Sequence, residues 1–193
     1  MLLRSPRYSR FVGYRHSRDE VVDAATRVAL DGGIARLTFR RVADELGISD
    51  RMVVYYLPTK GDLVLTVATE LSLRLQSLLH EAFGEGRRDP DDLVRQAWPV
   101  IGSGDTDKVF ALFLEVVGLG AAGVKPYDGL SNALLTGWVD WLAERTAGAT
   151  PAVRRRAALG VIARIDGLLL IRHAMGAPAA EEAAAALGVR RRR

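Results

Sequence analysis

Residues 39–56 read FRRVADELGISDRMVVYY, and this stretch decides the fold. Two short helices that cross at a steep angle need a small residue where they touch. Ala43 fills that place. Gly47 sits four residues later, where the turn calls for a positive φ that glycine adopts without strain. Ile48 follows as the anchor of the second helix, and Val53 falls where a side chain packs back on the first. Val42 and Leu46 complete the inner face. Thr38 and Ser49 stand at the expected N-caps of the two helices.

Working outward, the neighbouring helices announce themselves by their ends. Ser17 and Glu20 form a capping box, and Val21, Ala25, Val28 and Ala29 share the face of the helix that follows. Asp31-Gly-Gly33 is expected to stop it. Thr59 with Asp62 repeats the box ahead of a long helix, Thr59 to Phe83. Leu63, Val67, Leu71, Leu75 and Leu78 are read there as the buried stripe. Asp89-Pro90 opens the next helix. Further helices are expected from Ser103 to about Val124, Pro126 to about Thr146 and Thr150-Pro151 to about Met175. A last short one starts near Pro178. No stretch keeps a period of two, so the predicted class is all-α. The division is a basic arm at 1–17, a helix-turn-helix module at 18–65 and a helical body at 66–193.

Charge points the same way. Of the 193 residues, 1–60 hold 11 basic and 7 acidic side chains, and 61–193 hold 16 of each. A basic module on a neutral body suits a polyanion partner. The chain has no cysteine and three histidines, which excludes thiol chemistry and leaves no histidine pair at metal-binding spacing. Gly118-Leu-Gly-Ala-Ala-Gly123 lies in a helical pattern and lacks the strand that a dinucleotide site needs. No catalytic residue, metal or cofactor is expected, and the chain is read as a non-enzyme. The opening segment lacks the apolar core of a signal peptide, and no apolar run is long enough for a membrane span. Those readings and the missing cysteines fit the cytoplasm.

The stretch from Arg18 to Leu65 resembles the TetR family of transcriptional regulators. The resemblance rests on Ala24-Ala25, Gly33, Leu37-Thr38, Val42-Ala43, Leu46-Gly47-Ile48-Ser49, Pro58-Thr59-Lys60 and Leu63. Farther on, Ile165-Asp-Gly-Leu168 is similar to a run in some effector domains. Met52-Val53-Val54 departs from the family's usual Thr-Leu-Tyr, Leu57 replaces its Phe, and Gly61 its Glu.

The resemblance implies a homodimer that binds an operator in double-stranded DNA and responds to a small-molecule effector, most simply as a repressor. The second helix would enter the major groove and present Ser49, Asp50, Arg51 and Met52 to base edges, with Arg40 reaching from the first. Thr38, Tyr55, Tyr56 and Lys60 would hold phosphates. Aromatic and ionisable residues set among apolar neighbours mark an effector pocket: Trp98, Phe110, Phe113, Glu115, Trp138, Trp141, Asp166 and His173. Arg164 and Asp166 stand close enough in sequence to pair. Val161, Ile165, Leu168, Leu169 and Arg172, on the last long helix, are the expected dimer contacts.

Overall fold

The helices form where the caps place them. The computed structural model describes residues 16–189, so most of the expected basic arm and the terminal Arg190–Arg193 lie outside the described residues. Nine α-helices and one short 3₁₀ turn make up the described chain: α1 Arg18–Arg36, α2 Phe39–Leu46, α3 Asp50–Tyr56, α4 Lys60–Phe83, α5 Pro90–Ile101, the 3₁₀ turn Gly104–Thr106, α6 Asp107–Ala121, α7 Tyr127–Arg145, α8 Pro151–Met175 and α9 Ala177–Ala186. No strand occurs among the described residues, as the all-α reading expected.

Both capping boxes form, Ser17 with Glu20 and Thr59 with Asp62. Thr38 Oγ1 accepts the Arg41 amide at the start of α2. Ser49 occupies the N-cap of α3, but its side chain makes no capping bond. Gly47 has φ 66° and ψ 31°, the left-handed geometry the turn required. Gly33 behaves differently from expectation. It breaks α1 with φ 76° and ψ 177°, yet a further helical turn follows to Arg36. Ile34 explains the continuation: it is buried, and its amide finds an acceptor on another helix.

Two apolar clusters share α4. The first joins Val21, Ala25, Val42, Ala43, Val53 and Leu57 to Leu63, Val67 and Leu71 of α4, and it also takes in Leu112, Val116 and Tyr127. The second begins at Leu75, Leu79 and Phe83 and contains Leu93, Trp98, Phe110, Leu142, Val161, Leu168 and Leu169. The first cluster therefore continues past residue 65, and the two part between Leu71 and Leu75. The buried stripe of α4 runs 71-75-79-83; Leu79 is 3% exposed and Leu78 is 49% exposed. Choosing Leu78 was a one-residue error at a Leu-Leu pair, where spacings of three and four both fit a helical face. Each buried leucine here contributes about 1.5–3 kcal/mol of apolar burial, so α4 is fixed firmly at both ends.

Candidate nucleic-acid interface and effector cavity

The helix-turn-helix residues divide by burial. Val42, Ala43 and Val53 are fully buried where α2 and α3 touch. That burial leaves the opposite faces in solvent: Thr38, Arg40, Arg41, Asp44, Ser49, Asp50, Arg51 and Tyr55 are all exposed. Arg40 pairs with Asp44 one turn along, at 3.3 Å. Such an exposed pair is worth little and opens readily. Arg51 has no ion pair or side-chain hydrogen bond among the described residues. Its guanidinium projects from the first turn of α3 and is free for an acceptor. Met52 is half-buried.

The two tyrosines separate. Tyr55 is 76% exposed, while the Tyr56 hydroxyl donates to the His16 carbonyl at 2.9 Å and ties α3 to the start of α1. Their rings meet edge to face at 5.1 Å. Lys60 also serves the module internally. Its ammonium donates to the carbonyls of Ile34 and Leu37 at the end of α1, where free C=O groups and the helix dipole favour a cation. Burial lowers the Lys60 pKa, and the charge of Glu115 opposes that. In this geometry the Lys60 ammonium faces protein carbonyls. The sequence could not reveal this, because the acceptors lie 26 and 23 residues away.

A cavity of about 90 Å³ lies between α4, α6, α7 and α8. Phe110, Phe113, Trp138 and Asp166, all named from the sequence, line it. So do Leu75, Leu79, Leu134, Leu135 and Ile162, which pattern alone cannot separate from ordinary core. Ile34 of α1 also lines it. Trp138 is oriented by its indole N–H, which donates to Ser72 Oγ at 3.3 Å.

Four other pocket candidates are placed elsewhere. The Trp98 indole donates to Glu181 Oε1 of α9 at 3.1 Å. Trp141 packs on Phe83 and Trp138, with the Arg145 guanidinium 3.9 Å above its ring. The His173 ring is held between the carbonyls of Leu169 and Asp107, at 2.9 and 3.0 Å. Glu115 reaches away from the cavity and accepts the amides of Ile34 and Ala35, at 2.8 and 3.3 Å. Trp98, His173 and Glu115 each found a polar partner on another helix.

Arg164 and Asp166 do not pair. Arg164 crosses to Asp91 of α5, because adjacent-but-one positions on a helix point apart. Asp166 is left in the cavity wall, where burial raises its pKa to about 6.

The expected dimer residues also face inward. Val161, Leu168 and Leu169 are at most 1% exposed within the single chain, and Ile165 lines the cavity. Arg172 makes a two-pronged bond to Asp107, at 2.6 and 2.9 Å, which holds the Asp107 carboxyl below its usual range. The outward face of α8 instead carries Leu159, Gly160, Ala163, Gly167, Leu170 and Ala174.

This combination defines a two-part DNA-binding regulator: a helix-turn-helix with an exposed second helix, joined by one continuous helix to a body with a cavity. Residues 21–67 match the family of bacterial regulatory proteins of the tetR type. No curated protein matches the chain, but solved structures do. A TetR-family transcriptional regulator from Rhodococcus sp. superposes with a TM-score of 0.69 at 16% identity, over 89% of this chain and 96% of that one. The multidrug binding protein EbrR, complexed with imidazole, gives 0.65 at 25% identity over 96% of both chains. The same protein complexed with ethidium gives 0.64 at 25%, over 92% of this chain and 98% of that one. Residues 21–67 thus carry the DNA-binding module of tetR-type regulators, and the chain as a whole shares the fold of solved TetR-family regulators. Among the described residues no helix is long and apolar enough to cross a membrane.

Proposed function

We propose that the chain is a homodimeric repressor, which binds an operator through α2 and α3 and is released by a small molecule lodged in the body. The observation that carries this reading is the placement of Ile34. It belongs to the DNA-binding module, yet it lines the body's cavity. An occupant therefore touches the module directly, and α4 carries its other wall to the same place. The multidrug-binding EbrR, with a similar fold along nearly its whole length, supports a small organic effector.

In this reading residues 1–17 are a basic arm, 18–65 read DNA, and 66–193 bind the effector and dimerise, in the cytoplasm. Arg51, Asp50 and Met52 meet base edges at the N-terminal end of α3, with Ser49 beside them and Arg40 joining from α2. Thr38 and Tyr55 contact phosphates. Tyr56 and Lys60 act behind them by holding α3 and α1 in place. The dimer forms through the outward face of α8, where small residues let two helices approach closely and Leu159 and Leu170 supply the apolar contacts. The inward-facing set named from the sequence is not used.

Selection from random duplex DNA with the full chain tests the proposal. It should enrich a two-fold symmetric site whose half-sites lie about 34–36 Å apart, or a multiple of that. Failure to enrich any sequence above the starting pool would overturn it.

A further inference from the structure

The cavity wall is apolar apart from two side chains, Ser72 and Asp166. Ser72 is occupied by the Trp138 indole. The Asp166 carboxylate has no hydrogen bond or ion pair among the described residues. The cations that stand near it in sequence are committed elsewhere. Arg164 binds Asp91, Arg172 binds Asp107, and His173 lies on two carbonyls.

An unpaired carboxylate in a largely apolar wall opposes folding, because its charge loses part of its water and gains nothing in return. Packing alone would be served better by leucine or asparagine. Burial raises the acid's pKa to about 6, so at neutral pH most of it is still ionised. A neutral occupant would displace water and leave the charge worse off. An anion would add repulsion. A cation relieves the cost, and the rings of Phe110, Phe113 and Trp138 around the same space favour one as well, since aromatic faces attract positive charge.

We propose that the cavity takes a lipophilic monocation, with Asp166 as its counter-charge and the rings of Phe113 and Trp138 as its walls. This rests on the reading of the cavity as the effector site. One carboxylate and no second free acceptor in the wall set the ligand's charge at one. The same arrangement makes charge, more than shape, the basis of selection.

The test uses two compounds of one shape. Benzyltrimethylammonium carries a quaternary nitrogen; neopentylbenzene has carbon in its place and no charge. Calorimetric titration of the full chain at pH 7.5 should show the cation binding at least tenfold more tightly. In Asp166→Asn, which keeps the side chain's size, that preference should vanish, with the cation binding more weakly and the neutral compound at least as tightly as before. Circular dichroism of the variant establishes that it is folded. Equal affinities in the wild type, or a cation preference that survives in Asp166→Asn, would overturn the proposal while leaving the cavity as a site for neutral effectors. Binding of neither compound at millimolar concentration would overturn both readings together.

Discussion

The Glu115 carboxylate accepts the backbone N–H of Ile34 at 2.8 Å, across a sequence separation of 81 residues. That bond joins the end of α1, in the DNA-binding module, to the middle of α6, in the body. Glu115 takes the Ala35 amide as well, so it satisfies two donors freed where Gly33 breaks the helix. Val116, its neighbour on α6, lines the cavity together with Ile34. A displacement of α6 by an occupant would therefore pull on α1 through this hydrogen bond.

Glu115→Ala should uncouple this link. Two backbone amides lose a charged acceptor, a change worth roughly 1–3 kcal/mol locally. Hydrogen exchange at Ile34 and Ala35 should accelerate, while amides in the middle of α4 keep their protection. Unchanged exchange at both amides would show that the bond carries no load.

Lys60→Ala and Arg51→Ala should behave differently. The Lys60 ammonium stabilises the carbonyl end of α1, so its loss should lower the stability of the module and leave the salt dependence of DNA binding nearly unchanged. A phosphate contact would instead reduce that slope by about one per site. Arg51→Ala should keep stability and relax preference at one base pair per half-site, by ~1–3 kcal/mol. Salt titrations of binding and urea unfolding of both variants separate these outcomes. A reduced slope for Lys60→Ala would restore it as a phosphate contact.

The helix-turn-helix was legible because its constraints are local. Ala43, Gly47, Ile48 and Val53 each answer a steric need set by residues a few positions away. Thr59-Asp62 and Thr150-Pro151 announced their helices for the same reason. The roles of Glu115, Lys60, Trp98 and Arg164 were illegible because each is decided by a partner on another helix. Apolar pattern shows that a residue faces inward but not whether a void lies there, so Phe113 and Trp141 look alike in sequence. The residues named for the dimer face turn inward for a similar reason. The most apolar positions of α8, Val161, Leu168 and Leu169, are consumed by the chain's own core, and the small residues between them are left outside.

Asp166 should make stability fall as pH rises. Its pKa is 3.8 unperturbed and about 6 when folded, so between these values the folded state holds more protons than the unfolded one. Stability from this group is therefore full below the lower value and declines until pH passes about 6. Asp166→Asn removes the penalty, and should stabilise the chain at pH 7.5 by on the order of 3 kcal/mol at most, with little effect at pH 4. Urea unfolding at the two pH values reads the difference. Equal stability of the two at pH 7.5 would show that the carboxylate is better solvated than its position suggests.

Leu170→Glu should separate the protomers. Leu170 is 55% exposed in the single chain, so the charge costs the monomer's fold little. Placed in a two-fold interface, it meets its own copy or apolar surface and is strongly unfavourable. Sedimentation at micromolar concentration should show dimer for the wild type and monomer for the variant. A dimeric Leu170→Glu would move the interface to another face.

The account's central claim is that the cavity and the DNA-binding face share one equilibrium. The direct measurement is the affinity of the full chain for its selected duplex, with the cavity empty and with it saturated by a ligand of confirmed binding, together with the ligand's affinity with and without saturating duplex. The account predicts that the ligand weakens duplex binding by about 5- to 150-fold, and that the duplex weakens ligand binding by the same factor. A duplex affinity unchanged by a saturated cavity would contradict it.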